Sequence, residues 1–380
     1  MNAQYDALRE TLRRFVDREL IPLEPTLDAD GRLAPAAFAD VRGRAQAAGI
    51  WMPDVPAELG GAGLDLGAMT VFWEEISRTV AVPARDHSVF GPTPGPILLA
   101  LEGELATRYR DPVLRGEAVS CFAQTEPDAG SDPRAMRTRA VRDGEHYVVN
   151  GTKRFITHAE KADFAQVMVR IPDGDGKGRI TCLIVDMDTP GVRITARHRT
   201  MMGDAPCEIV FEDARVPVAN RVGAEGSGIA LAQGWINEGR LRHAARACGV
   251  IRRCADDLAA YAHQRRTFGG PLADRQALQW TLADAEIAYH SIRLMADEAA
   301  ARLDAGEDAR LLTYMVKAHG DETGFRIVDR CLQFYGGLGL TLDMPIQKFW
   351  RDQRSFMITE GPIEVMRMAI ARDVLARAAA

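Results

Sequence analysis

The chain has 380 residues, of which 47% are hydrophobic and 26% charged, with a formal net charge of −6. This length supports two or three structural regions with large cores. The mild acidity argues against nucleic acid as the main partner, because phosphate binding favours a basic surface. No apolar run approaches the roughly 18 residues of a membrane span, so no membrane insertion is predicted.

The first region, residues 1–120, has a helical pattern. Its opening "MNAQYDALRETLRRFVDREL" resembles an amphipathic helix, without the apolar core of a secretory signal, and its acidic residues argue against a transit peptide. The six cysteines include no CxxC pair, and the eight histidines are scattered. We therefore expect buried free thiols, no metal site and a reducing, cytoplasmic location.

The second region, residues 121–225, changes to a period of two. "EHYVVNGTKRFIT" predicts a pair of strands that turn at Asn150-Gly151. "FAQVMVRI" and "ITCLIVDM" flank "PDGDGKG", which predicts a hairpin turn, and "CEIVFEDARVP" adds a strand that ends at Pro217. Together these segments predict a small antiparallel, barrel-like β domain.

The third region, residues 226–380, returns to the helical period. Four long stretches predict a C-terminal four-helix antiparallel bundle: 227–264, 273–304, 308–334 and 361–379. The expected fold is mainly α with a small central β domain (α+β), in which an N-terminal helical domain, the β domain and the bundle follow one another. This order excludes a doubly wound nucleotide-binding fold.

Several motifs share this framework. They are "CFAQTEPDAGSD" (121–132), "NGTKRFIT" (150–157), "MMGDAPCEIVFEDARVP" (201–217), "RRTFGGPLADRQ" (265–276), "QFYGGLGL" (333–340) and "EGPIEVMRMAIAR" (360–372). In this order, and over nearly the whole chain, they resemble the signatures of the acyl-CoA dehydrogenase family of flavoproteins.

The resemblance implies a bound FAD. Motif positions imply that one set of residues contacts the flavin or its phosphate arm: Phe122, Gln124, Thr125, Gly130, Ser131, Phe155 and Thr157. A second set would grip the adenine end across the interface of a homo-oligomer, a dimer or a dimer of dimers: Arg265, Phe268, Gln276, Gln333 and Gly337. An arginine suits a pyrophosphate, and an aromatic ring can stack on a flavin. For Phe155 and Phe268, ordinary core packing is the alternative.

In the same resemblance, Glu360 takes the α-proton of an acyl thioester while the β-hydrogen leaves as hydride to flavin N5. The Glu360 N–H and a ribityl hydroxyl would hold the thioester oxygen. The preceding "FMIT" predicts a dry pocket, and desolvation by substrate is expected to raise the pKa of Glu360 despite the opposing helix start. Gly361 leaves room for substrate, and Pro362, at a position where many members carry Thr or Ser, suits the first turn of the last helix.

The resemblance also assigns substrate contacts. Asn237 and Arg240 would line the thioester tail, with Ser131 and Gly361 nearby. Some members carry the base just before this arginine, but here Gly239 occupies that position, and Glu238 is predicted to point elsewhere.

The implied function is FAD-dependent dehydrogenation of an acyl-CoA to the trans-2-enoyl-CoA, with an electron-transfer flavoprotein as acceptor. A flavin oxidase or monooxygenase on the same fold is the alternative, and a DNA-binding relative is disfavoured by the acidic charge. The acyl group stays open, and so does a carrier-protein thioester in place of CoA.

Overall fold

The structure is a computed structural model that describes residues 3–173 and 178–379. The chain forms two compact units, one of Met1–Gly91 with Asn237–Ala380 and the other of Pro92–Ile236. Helices predominate, and a central sheet lies within the second unit, as predicted. Among the described helices, none is long and apolar enough to cross a bilayer. The division into three sequential domains stays a prediction.

The helices occupy both ends of the chain. They are α1 (Asp6–Phe15), α2 (Pro35–Ala47), α3 (Leu66–Ile76), α4 (Gly95–Leu99), α5 (Gly103–Leu105), α6 (Asp111–Leu114), α7 (Gly228–Gln264), α8 (Gln276–Asp304), α9 (Arg310–Tyr335), α10 (Pro345–Phe356) and α11 (Ile363–Ala378). The predicted stretches match α7, α8, α9 and α11 to within three residues, whereas α10 was not predicted. Their arrangement as a four-helix bundle stays a prediction.

The strands all lie between the two helical parts of the sequence, apart from one short pair. They are β1 (Ser120–Ala123), β2 (Arg139–Asp143), β3 (His146–Ile156), β4 (Phe164–Ile171), β5 (Arg179–Asp186), β6 (Val192–Arg197), β7 (Cys207–Pro217), β8 (Arg221–Val222), β9 (Arg266–Thr267) and β10 (Gly270–Pro271). Strands β6-β7-β3-β2-β4-β5-β8 form the central sheet in that order, and β1 also pairs with β4.

The sheet is mixed. Most neighbours are antiparallel as predicted, but β1 and β2 both run parallel to β4. Strands β4 and β5 are buried along almost their whole length, not on alternate residues. Apolar clusters cover the sheet on both faces, so side chains of either parity are buried. The barrel-like form stays a prediction.

The predicted turn at Asn150-Gly151 is wrong, because β3 continues through both residues. The Asn150 side chain exchanges two hydrogen bonds of 3.0 Å with Asp213 on β7, which keeps the strand in the sheet. Gly151 stands at a register shift with φ 149°, and a Cβ there would lie 2.5 Å from the Thr138 Oγ1. The glycine therefore serves a bulge and a close approach. The second predicted turn joins β4 to β5, which pair as expected, but residues 174–177 lie outside the described residues.

Buried charges join the N-terminal helices to the C-terminal ones within the first unit. The carboxylate of Glu74 on α3 is paired with Arg9 and Arg293 and accepts a hydrogen bond from the Tyr289 hydroxyl. Both Glu74 and Arg293 are almost completely buried.

Each of the six cysteines is buried and free, which confirms the prediction of buried free thiols.

Candidate active site

Glu360 lies in the short connection between α10 and α11. Its backbone has φ 56°, and Gly361 follows with φ 95°. A left-handed backbone is strained for a residue with a Cβ, and such strain is concentrated at functional sites. Pro362 then caps α11, one residue before the helix begins, close to the predicted position.

The two oxygens of the Glu360 carboxylate have different surroundings. Oε1 accepts a 2.7 Å hydrogen bond from Arg242 Nη2. Oε2 has no hydrogen-bond partner among the described residues, although the His243 Nε2 lies 3.5 Å away. The side chain is 24% exposed. The carboxylate is therefore held at Oε1, whereas Oε2 is buried and unpartnered.

Gly239 creates the space that Oε2 occupies. A Cβ on Gly239 would overlap with the Glu360 carboxylate, at a distance that no real carbon–oxygen contact reaches. A side chain at position 239, where some members carry the base, would therefore occupy the space that the Glu360 carboxylate fills.

Opposing effects set the pKa of Glu360, and the rise expected when substrate binds stays a prediction. Burial raises the pKa, but the positive charges of Arg242 and Lys317, the nearby His243 and the hydrogen bond from Arg242 outweigh it, so the pKa lies below its usual range. The sequence indicates the burial of Glu360 and the nearby helix start, but not its ion pair with Arg242.

A second carboxyl group in this cluster behaves differently. Burial raises the pKa of Glu238 to about 7, and the charges of Asp54 and Glu360 add to the rise while Arg242 opposes it. Glu238 makes no hydrogen bond to Glu360. At neutral pH the cluster therefore holds one ionised carboxylate and one that is partly protonated.

A buried set of side chains supports the site from behind. Lys317 Nζ donates to Asp321 Oδ2 at 2.8 Å and to the Phe356 carbonyl oxygen at 2.9 Å, and His243 Nδ1 lies 3.4 Å from the same Asp321 oxygen. The ring of His243 packs against Phe356, with centroids 4.5 Å apart. Sequence reasoning missed Arg242, His243, Lys317 and Asp321.

A usable signal for part of this set was present. In "GRLRHAARACG" the residues at 239, 242, 243 and 246 share one helix face, and that face carries three basic side chains beside a glycine. Conversely, the predicted dry pocket of "FMIT" is only partly correct: Phe356 is buried, whereas Ile358 is 56% exposed. Much of the enclosure comes from α7 instead.

The predicted substrate residues of the first unit lie together. Arg240 Nε donates to the Glu360 carbonyl oxygen at 3.2 Å, and Arg240 Nη1 donates to Asn237 Oδ1 at 3.1 Å. The Arg240 guanidinium also stacks on the Tyr314 ring, 4.6 Å from its centroid. A Cβ on Gly361 would lie 3.3 Å from the Arg240 Nη2. The lack of a side chain at residue 361 therefore lets the Arg240 guanidinium lie close to this part of the backbone.

The second unit brings two of the predicted motifs together. Lys153 Nζ donates to the Gln124 carbonyl oxygen at 3.0 Å, and the Arg154 N–H donates to the Thr125 carbonyl oxygen at 2.8 Å. A buried ion pair of 2.8 Å between Lys153 and Glu126 fixes the same crossing. The segment after β1 is thereby attached to β3.

The remaining predicted residues of this unit differ in exposure. The Phe122 ring stacks on Trp235 at 5.0 Å, so it is engaged within the protein. Phe155 is 56% exposed and has φ 59°, which excludes core packing. Thr157 is half-buried, and Gly130 and Ser131 are exposed.

A cavity of about 370 Å³ collects the other predicted cofactor residues of the first unit. Arg265, Gln333 and Gly337 line it. Gln276 begins α8, and Phe268, at the turn between β9 and β10, is completely exposed with φ 47°. Like Phe155, this ring does not pack in the core of the chain.

These surroundings fit an FAD molecule. The arginine and the glycine backbone of the cavity offer the donors and the open approach that a pyrophosphate needs, since a Cβ on Gly337 would meet nothing within 4 Å. Within the second unit, considered by itself, exposed and strained Phe155 offers an aromatic face to a ligand.

Comparisons with known proteins identify the family. Three family models match in chain order: the acyl-CoA dehydrogenase N-terminal domain over residues 2–117, the middle domain over 121–214 and the C-terminal domain over 226–375. The mouse (Mus musculus) mitochondrial short-chain specific acyl-CoA dehydrogenase is 33% identical, with 98% of this chain and 90% of that protein covered.

Two further relatives agree. The 3-(aryl)acrylate reductase of Clostridium sporogenes is 34% identical, with 98% of each chain covered. The crystal structure of an acyl-CoA dehydrogenase from Geobacillus kaustophilus has a TM-score of 0.85 at 26% identity, again with 98% of each chain covered. The fold and the three matched domains are those of a flavin-dependent oxidoreductase. The chain belongs to the acyl-CoA dehydrogenase family, whose cofactor is FAD.

Proposed function

We propose that this chain catalyses the α,β-dehydrogenation of an acyl-CoA thioester to the trans-2-enoyl-CoA, with Glu360 as the base. The observation that carries the proposal is the Glu360 carboxylate itself, with Oε1 held by Arg242 and Oε2 buried beside Gly239 without a hydrogen-bond partner. A base must be ionised, oriented and able to accept a proton, and this arrangement supplies all three.

In the proposed reaction, Glu360 Oε2 takes the proton from the α-carbon. The carboxylate is ionised in the free enzyme because its pKa is low, and substrate that displaces water from it strengthens it as a base. The Glu360 N–H donates to no described acceptor, so it can hold the thioester carbonyl oxygen and stabilise the charge that develops there. FAD, when bound, supplies the two-electron acceptor for the hydride that leaves the β-carbon.

Arg240 positions this machinery. Its Nε donates a hydrogen bond to the Glu360 carbonyl oxygen, which fixes the backbone there, and its Nη1 donates to Asn237 Oδ1. Its guanidinium is buried and stacked on Tyr314, so the connection that carries the base is held from α7. We assign Asn237, Arg240, Ser131 and Gly361 to substrate positioning.

The proposal extends to partners. A homo-oligomer in which Arg265, Phe268, Gln276, Gln333 and Gly337 contact the FAD of a neighbouring subunit is supported by the fully exposed Phe268 ring and by the cavity that holds three of the five. The proposed electron acceptor is an electron-transfer flavoprotein. An oxidase or monooxygenase reaction is the alternative, and O₂ would then be the acceptor.

Anaerobic flavin bleaching tests the proposal. Purified protein, reconstituted with FAD, is mixed with a panel of acyl-CoA thioesters that includes butyryl-CoA and 3-phenylpropanoyl-CoA, prompted by the names of the two relatives above. We expect bleaching by at least one thioester, with the enoyl-CoA as product, and fast reoxidation by an electron-transfer flavoprotein but slow reoxidation by air. Fast reoxidation in air would favour the oxidase alternative, and a protein that binds no FAD would contradict the proposal.

A further inference from the structure

Arg246 is a buried cation without a counter-charge of its own. Its side chain is 3% exposed, its Nε has no hydrogen-bond partner, and no hydrogen bond or ion pair joins its guanidinium to another described residue. An isolated charge in a protein interior is costly unless it is paired. A site that retains one is expected to receive the opposite charge from a ligand.

The position of Arg246 places that ligand beside Glu360. Gly239, Arg242 and Arg246 follow one another at helical spacing on one face of α7, and the first two of them contact the Glu360 carboxylate. Arg246 lies one turn beyond Arg242, about 6 Å further along the helix axis. A group that reaches Arg246 therefore lies past the base, where the far end of an acyl chain would be.

The neighbouring carboxylates are already paired. Burial lowers the pKa of Arg246 to about 9, the charge of Arg242 lowers it as well, and those of Asp352 and Glu360 oppose the fall. Asp352 receives Lys348 Nζ at 2.6 Å on both oxygens, and Glu360 receives Arg242. Arg246 thus keeps its positive charge at neutral pH without a direct partner of its own.

A second unpartnered polar group lies near the same turn of α7. Gln353 on α10 is fully buried, and neither its Oε1 nor its Nε2 has a partner among the described residues. Its Oε1 and the Cβ of Ala247, the residue after Arg246, each lie 3.1 Å from the point where a Cβ on Gly324 would stand.

We propose that Arg246, with Arg242 beside it, binds a carboxylate at the far end of the acyl group, so that the substrate is the CoA thioester of a short dicarboxylic acid. The planar guanidinium fork matches a carboxylate and is suited to buried ion pairs. A chain that ends in a methyl group leaves the cation unpaired, and such a defect discriminates strongly between substrates. This inference rests on the proposed function.

Matched pairs of thioesters test it. For the FAD-loaded enzyme, kcat/KM is measured with succinyl-, glutaryl- and adipyl-CoA and, at equal chain length, with butyryl-, pentanoyl- and hexanoyl-CoA. We expect at least one dicarboxylic thioester to exceed its partner by roughly 30-fold or more. The preference is expected to collapse towards one in Arg246→Met, to survive in part in Arg246→Lys, and to persist in the control Arg252→Met, which removes a surface ion pair of the same helix.

Stability gives an independent readout. Because Arg246 has no partner to lose, Arg246→Met in the substrate-free holoenzyme is expected to leave the thermal midpoint unchanged or to raise it. A marked fall would mean that Arg246 has a structural role and would overturn the inference. So would bleaching by monocarboxylic thioesters without any dicarboxylic preference, which leaves the proposed function intact, whereas bleaching by no thioester at all would defeat both.

Discussion

The charge of the Glu360 carboxylate is controlled by a residue far from it in the sequence. Arg242, 118 positions away, donates a hydrogen bond to Oε1 and helps to lower the pKa of the carboxyl group. The motif "EGPIEVMR" predicted the position of Glu360, and burial alone predicted only a rise in its pKa. No local pattern reports which charges converge on a carboxylate, so the ion pair had to come from the tertiary structure.

Removal of Arg242 should move the acid limb of the pH profile. Arg242 holds the pKa of Glu360 below its usual range, so the kcat/KM for butyryl-CoA should stay high until the pH falls below that range. Arg242→Gln should raise the pKa and shift this limb to higher pH. By linkage, the stability that the lowered pKa contributes is present above the usual glutamate pKa and is lost as the pH falls through the lowered value.

The control for this comparison is Arg252→Gln on the same helix, which leaves the site untouched. An acid limb at the same pH in Arg242→Gln and in the unchanged enzyme would refute the electrostatic account.

Gly239→Ala should displace the base. The added methyl would occupy the place of Glu360 Oε2, and a catalytic group displaced by about 1 Å can lose about 100-fold in rate. Gly234→Ala is the matched control on α7, because a Cβ there meets nothing within 4 Å. We expect kcat to fall by about that factor in Gly239→Ala alone, with FAD absorbance retained. Equal activities of the two variants would show that Glu360 does not need this space.

At the level of elements, helical periodicity was the better guide. The long C-terminal helices were predicted to within three residues, and on α8 the buried residues recur every three or four positions. Asn150-Gly151 has the composition of a hairpin turn, but the hydrogen bonds to Asp213 and the contact with Thr138 decide its structure. Both partners are distant in sequence, so turn chemistry alone could not identify a bulge.

The buried ion pair between Glu74 on α3 and Arg293 on α8 should dominate the stability of the first unit. Arg293→Leu leaves Glu74 without one of its two cations in a buried place, and loss of one partner of such a pair costs about 3–5 kcal/mol. Arg330→Leu removes an exposed pair with Asp284, which also links two helices, and should cost below about 1 kcal/mol. Chemical denaturation of both variants measures the difference. Comparable losses in the free energy of unfolding of the two variants would mean that the burial of Glu74 does not determine how much its ion pair stabilises the protein.

For the whole molecule, the order of motifs predicted the family, but it did not predict which distant segments of the chain pack together. The sequence reads as three successive regions, yet the compact unit that holds Glu360 combines the first 91 residues with the last 144. Contacts such as Arg293 with Glu74 span 219 positions. Neither composition nor periodicity contains that pairing, because they describe neighbours in sequence.

Arg265 and Arg266 provide a matched test of the shared cofactor site. Arg265 lines the cavity with Gln333 and Gly337, whereas the guanidinium of its neighbour Arg266 donates to the Gly269 carbonyl oxygen. We expect Arg265→Ala to lose FAD on gel filtration and to dissociate more readily into smaller species, and Arg266→Ala to retain both cofactor and assembly. An Arg265→Ala protein that stays fully loaded and assembled would contradict the shared site.

The role of Glu360 is tested most directly by stopped-flow measurement of flavin reduction in Glu360→Gln. The amide keeps the shape and the Arg242 contact but cannot take a proton from carbon, and general-base catalysis is worth roughly 10²- to 10⁴-fold. We expect a yellow, FAD-loaded protein that binds acyl-CoA and in which the rate of flavin reduction is lower by a factor in this range. Bleaching at the rate of the unchanged enzyme would show that another group removes the α-proton.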